Sequence, residues 1–188
     1  MRTSPRARLL LAAAGATIAA MALPAPAVAA CAYQDLEPTA YNGAQIRQAT
    51  MCLLNEQRRA RRAVSLRPDW RLARAALDHS RDMVVRDYFA HYAPGLGSVG
   101  PRVYRARYMT PRDRWYVGEN LAWGQSYLGT PRRIVTAWMN SPGHRANVLN
   151  PRFREIGVGV VPAAPDLPTA TPGLPGATYT TEFGVIYR

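Results

Sequence analysis

A chain of 188 residues, 48% of them hydrophobic, is long enough to bury one sizeable core and too short for two ordinary domains. Its formal charge of +12 rests on arginine alone, with no lysine anywhere. That balance is compatible with attraction to anionic envelope polymers or lipid headgroups. It does not predict specific nucleic-acid binding: the one dense basic cluster, Arg58, Arg59, Arg61 and Arg62, has no nucleic-acid module around it and reads as the solvated face of a helix.

Arg2, Arg6 and Arg8 precede an apolar, Ala-rich run from Leu9 to Leu23, and small residues follow at Ala27-Val28-Ala29-Ala30. This is the layout of a secretory signal peptide over residues 1–30, with the mature protein, 31–188, exported as a single domain. Beyond residue 30 the chain carries 21 Arg against 12 acidic residues, about +9. No later stretch is apolar for long enough to span a bilayer. Cys31 and Cys52 are the only cysteines, and an even pair in an exported chain reads as a disulfide. The competing reading is lipidation of Cys31, because Val28-Ala29-Ala30-Cys31 loosely resembles a lipobox, which would anchor the protein to a membrane face.

Gln45 to Arg62 places Ile46, Ala49, Leu53 and Ala60 near helical spacing and predicts the first helix. Pro68 is expected at the first position of the second, where Leu72, Ala75, Ala76, His79 and Met83 form one apolar face. His79 on that face reads as a hydrogen-bonded core residue. His91 stands where this helix decays, ahead of the Ala93 to Gly97 loop. A short helix is expected over Arg102 to Tyr108, a strand or extended loop over Tyr116 to Trp123, and a third main helix after Thr130-Pro131. Asn140-Ser141-Pro142-Gly143 breaks that helix, with Ser141 as N-cap and Pro142 at the first position of a new short one carrying His144 and Arg145. Asn150-Pro151 stops it. Ile156, Val158 and Val160 alternate as a strand with one buried face. A proline-rich excursion from Pro162 to Ala177 then leads to Tyr179, Thr181, Phe183, Val185 and Tyr187, expected to pair antiparallel with the Ile156 strand. Helices and antiparallel strands around one core make an α+β domain.

Several of these segments, in order, resemble the CAP superfamily of cysteine-rich secretory, antigen 5 and pathogenesis-related proteins, in its bacterial SCP-like branch. They are Cys52 to Arg58, Leu66-Arg67-Pro68, Met83, Tyr88-Phe89-Ala90-His91 and Gly118-Glu119-Asn120. The match is densest over Ala137 to Asn147 and Phe153 to Gly159, and it closes at Glu182-Phe183-Gly184. The resemblance implies an α-β-α sandwich, a central antiparallel sheet flanked by helices. It also implies a cleft where two histidines and two glutamates can hold a divalent metal. His91, Glu119 and His144 occupy three of those positions. Ser141 stands at the fourth in place of glutamate, and Tyr179 where a tryptophan is usual.

Two imidazoles and a carboxylate, with water in the last position, make an acceptable open Zn²⁺ site. Alternatively the three residues form a structural hydrogen-bonded network, or Glu119 serves as general base on a water held by His91 and His144. A serine-hydrolase arrangement through Ser141 and His144 lacks an identifiable acidic partner. The resemblance thus implies two functions. One is a monomeric binding or interaction module for a small lipid, a peptide or a cell-envelope ligand. The other is a metal-dependent or cleft hydrolase of peptidase type.

Overall fold

In the computed structural model the sheet is organised around β4 (Gly176–Tyr187), which lies between β3 (Glu155–Val161) and β2 (Arg114–Gln125) and runs antiparallel to both. A two-residue β1 (Arg67–Pro68) adds to β3 in parallel, so the order is β1-β3-β4-β2 and β2 forms an edge. The structure describes residues 31–187, and the export signal read over residues 1–30 lies outside them. The expected pairing of the Ile156 and Tyr179 strands is present, with Ile156 opposite Phe183 and Val160 opposite Tyr179. The prolines between them hold residues 162–175 out of the sheet.

The helices are α1 (Gly43–Arg59), α2 (Trp70–Val85), α3 (Val99–Arg105), α4 (Pro131–Asn140) and α5 (Pro142–Leu149). Alternation along β4 sorts them into layers. Thr180 meets α2, where Ser80 Oγ donates to its hydroxyl at 2.9 Å, while Tyr179 meets Trp138 of α4 edge-on. Phe183 stacks on Phe153, just past α5, and the apolar core on that side gathers Ile46 and Leu54 of α1 with Trp138 and Val148. The domain is therefore the α+β sandwich expected, α2 and α3 on one face and α1, α4 and α5 on the other. Among the described residues no helix is long and apolar enough to cross a membrane.

Several local expectations are corrected. Pro68 belongs to β1, and Asp69 caps α2, its carboxylate accepting from the backbone N–H of Arg71 at 2.8 Å and of Leu72 at 3.3 Å. Ser141 occupies an N-cap position with extended backbone, but its side chain makes no capping bond. α1 ends at Arg59, before the expected Arg62, because the chain turns through a positive φ of 57° at Arg62.

Arg58 is no solvated residue. It is fully buried, and its guanidinium donates to the carbonyls of Val64, Val148, Asn150 and Phe153 at 2.6–3.4 Å. The last carbonyls of α5 have no helical partners, and a planar fork of donors from α1 supplies them. Arg59, Arg61 and Arg62 remain exposed.

β3 is buried on both faces. A Cβ added at Gly157 would lie 2.0 Å from the backbone N of Ala73, and one at Gly159 would lie 2.2 Å from the carbonyl carbon of Ala76. The two glycines let the α2 backbone lie directly on the strand.

Cys31 and Cys52 form a disulfide that fastens the start of the described chain to α1, with Cα atoms 5.7 Å apart. The bond occupies the sulfur that a lipid thioether on Cys31 would need. Reduction is expected to expose two thiols and to lower the unfolding free energy by about 2–4 kcal/mol, read from denaturant midpoints with and without reductant.

Candidate ligand cleft at the sheet edge

Glu119 and Asn120 are consecutive on the edge strand β2, so the pleat sends their side chains to opposite faces. Gly118 before them admits the ring of Phe153, which a Cβ there would meet at 2.7 Å.

Glu119 points to the α2 and α3 side and is only 6% exposed. His91, in the loop after α2, brings Nδ1 to 2.7 Å from Glu119 Oε1, while its own side chain is 61% exposed. Arg102 of α3 donates to Glu119 Oε2 and, through its other terminal nitrogen, to the carbonyls of His91 at 2.9 Å and Gly97 at 2.8 Å. One guanidinium thus fixes both the carboxylate and the loop that carries the histidine. His79 lies behind them, its Nε2 3.1 Å from the Ala90 carbonyl and 3.7 Å from Glu119 Oε2. Glu182 faces Glu119 directly across the β2–β4 ladder, fully buried, with Oε1 3.6 Å from Arg102.

Two buried carboxylates sharing one cation cannot both ionise easily, and their surroundings push them apart. Burial raises the pKa of Glu119, but the His91 hydrogen bond and the charges of Arg102 and His79 bring it below the usual carboxylate range. Burial, then the charge of Glu119, drive Glu182 well above that range, favouring its protonated acid. Glu119 therefore stands as the anion. Since a carboxylate only accepts, His91 donates from Nδ1.

On the other face, Asn147 of α5 donates from Nδ2 to the Glu119 carbonyl and to Asn120 Oδ1, both at 2.9 Å, and Asn120 Nδ2 donates to the His144 carbonyl at 3.0 Å. This fixes the first turn of α5 against β2. His144 is half-buried there, and burial, followed by the positive charge of nearby His91, lowers its pKa. His91 and His144 thus belong to the same sheet edge, beside Glu119 on one face and Asn120 on the other. Ser141 is half-buried between α4 and α5 and makes no hydrogen bond to His144.

Among the described residues, the only three His, Cys, Asp or Glu ligand atoms lying within 4.8 Å of one another belong to Cys31, Cys52 and Glu56, and the disulfide ties up that group. His91, Glu119 and His144 are not gathered that tightly. Both oxygens of Glu119 are engaged, one by His91 and one by Arg102. Glu119 therefore stands behind His91 and orients its ring, with no carboxylate oxygen left free.

The sequence model for the cysteine-rich secretory protein family matches residues 51–167, which include every residue of the cleft except Glu182. The chain belongs to the cysteine-rich secretory protein family. It is 40% identical over 111 residues to the uncharacterized protein YkwD of Bacillus subtilis, covering 58% of this chain and 40% of that protein. It is 36% identical over 88 residues to the uncharacterized membrane protein YlbC of the same organism, covering 47% and 23%. The chain thus spans well under half the length of these curated relatives.

A crystal structure of an extracellular Bacillus anthracis protein containing an SCP domain is similar over 78% of this chain and 40% of its own, at 31% identity and a TM-score of 0.57. The outer surface protein of Borrelia burgdorferi, at 20% identity and a TM-score of 0.57 over 73% of this chain and 90% of its own, shares the fold. Glu182, Arg102, Asn120 and Asn147 are cleft residues to which sequence reasoning gave no role. Glu182 sits in a matched motif, but only the strand register places it opposite Glu119.

Proposed function

We propose that this CAP protein is an exported, monomeric binding module acting at or outside the cell envelope, taking a lipid, peptide or envelope ligand in the cleft at the β2 edge. The observation that carries this reading is the engagement of Glu119: a carboxylate held below its usual pKa, with one oxygen on His91 and the other on Arg102, is a fixed anchor and a poor general base. Ser141 has no base hydrogen-bonded to it. The cleft supplies oriented imidazoles without an activated nucleophile. The description of the Bacillus anthracis relative as extracellular supports the export signal read over residues 1–30.

Were Zn²⁺ or a similar ion held here, His91 and His144 would be the residues to hold it, with water completing its shell. Bound there, it would offer a Lewis-acidic contact to a carbonyl or phosphate oxygen of the ligand. Calorimetry with Zn²⁺ should show affinity falling at least about tenfold in His91→Ala, in His144→Ala and in the supporting variant Glu119→Gln. Affinity should also fall below about pH 6.5, because a coordinating imidazole must be neutral. Unchanged binding in His144→Ala removes that residue from the site. Peptide and cell-wall substrates incubated with the metal-loaded protein test the rest: turnover that disappears in folded Glu119→Gln overturns the binding-only reading in favour of a hydrolase.

A further inference from the structure

The arginines of this protein are not spread evenly. Register brings the starts of β2 and β3 and the finish of β4 to one end of the sheet, because Val117 and Glu155 both face Gly184 and Arg114 faces Tyr187. β1 joins them there, with Arg67 opposite Glu155 and its N–H on the Arg154 carbonyl at 2.9 Å. The buried guanidinium of Arg58 ties the end of α1 to the same turns through the carbonyls of Val64, Asn150 and Phe153. Arg61, Arg62, Arg67, Arg114, Arg152 and Arg154 therefore share this end, and all of them are exposed.

Their charge is little offset. The acids of these segments are already engaged: Asp69 with Arg71 at 2.6 Å, Glu155 with the Tyr108 hydroxyl at 2.7 Å and Arg67 at 3.6 Å, and Asp113 with the backbone N–H of Thr110 at 2.6 Å. Asp87 and Asp166 lie at the other end, past the finish of α2 and β3. The basic end also leaves large apolar side chains in water. Val64 is 61% exposed, and Trp70, at the start of α2 just past β1, is 67% exposed. Trp115, beside Arg114 on β2, is the other exposed tryptophan among the described residues. Arg114 and Arg152 lie over the exposed rings of Tyr187 and Tyr116, 6.0 and 5.3 Å from their centroids.

We propose that this end docks on a lipid bilayer carrying anionic phospholipids. A guanidinium matches phosphate oxygens in pairs, and the attraction of several arginines to the headgroups adds up. Tryptophan and tyrosine settle at headgroup depth, where the ring leaves water while its N–H or O–H stays wet. A hydrophilic polyanion would reward the arginines alone and leave Val64 and Trp70 facing water. An apolar partner would strand the arginines. The contact is peripheral and independent of what the cleft binds. β2 leads from Arg114 to Glu119 over at most roughly 17 Å at the rise of a strand, so docking brings the cleft close to the headgroups.

The test sediments the purified protein with phosphatidylcholine vesicles, with and without phosphatidylglycerol. Phosphatidylglycerol should raise the affinity, and added salt should weaken it. Arg61→Gln/Arg152→Gln should lose about fivefold for each arginine removed. Trp70→Ala should lose at least about fivefold on vesicles and nothing on polyphosphate, a soluble polyanion. Arg81→Gln/Arg133→Gln makes the same change of charge on α2 and α4, away from this end, and should lose no more than about twofold. All of these positions are exposed, so each variant should keep the circular dichroism of the folded protein. Both pairs carry the same N-terminal residues, so residues 1–30, kept or cleaved, cannot produce the difference between them. Equal losses in the two pairs would reduce the effect to net charge. Vesicle binding unchanged in Trp70→Ala would leave a site for soluble polyanions. Either result, or no gain from phosphatidylglycerol, overturns the proposal.

Discussion

Gly157→Ala and Gly159→Ala are each expected to lower the unfolding free energy by at least about 3 kcal/mol, measured from denaturant midpoints at an unchanged m-value. An ordinary methyl in a core displaces flexible side chains, but here it would meet helix backbone at 2.0 and 2.2 Å. Relief requires α2 to lift from β3, taking the apolar contacts of Leu72, Ala75 and Ala76 with it. Because one displacement of the helix accommodates both methyl groups, the double variant should lose clearly less than the sum of the singles. Additive losses would mean that each methyl is absorbed locally. α2 also leads into the His91 loop, so the same variants should weaken whatever the cleft binds.

Arg102→Leu is the second large effect, about 3–5 kcal/mol at pH 7, because two buried carboxyls are left without their cation. Glu182→Gln, by contrast, replaces a group already held as the neutral acid and should be near neutral or stabilising at that pH. The pH dependence carries the signs. Glu119 has a folded pKa below its reference of 4.5, so its contribution is present above that pH and is lost as pH falls through the lowered value. Glu182 is raised above 4.5, so it favours the fold below that pH and costs stability as pH rises toward its folded value. Removing Arg102 moves Glu119 toward the second behaviour. The deficit of Arg102→Leu should therefore shrink as the pH approaches 4.5, while Glu182→Gln should flatten the loss of stability on the alkaline side. A deficit constant from pH 4.5 to 8 would assign Arg102 a packing role alone.

Periodicity and punctuation made the helices and the β3–β4 pairing readable in advance. The Asn140 to Gly143 break, with His144 just beyond it, was readable for the same reason. Prolines, glycines and apolar spacing act locally. Arg58 was opaque because a run of four arginines looks the same whether it faces water or a set of orphaned carbonyls 90 or more residues away. β3 was read as having one buried face because alternation is the signal for one covered face. In a three-layer sandwich both faces are covered, and glycine on β3 and threonine or glutamate on β4 fill the second. Glu182 was hidden by the same cause. In an alternating strand its position reads as outward, and its closeness to Glu119 is a property of register, which sequence spacing does not encode.

The position of the cleft also bears on solubility. β2 is an edge strand of 12 residues, long enough to template pairing with another chain. Its outward carbonyls at Glu119 and Leu121 are taken by Asn147 of α5 and by the indole nitrogen of Trp138 on α4, which donates at 2.9 Å. The helices that present His144 therefore also close the sheet against strand addition. A ligand or mutation that lifts α5 to widen the cleft would bare the most adhesive stretch of backbone in the molecule, which sets a limit on how far this site can open without self-association.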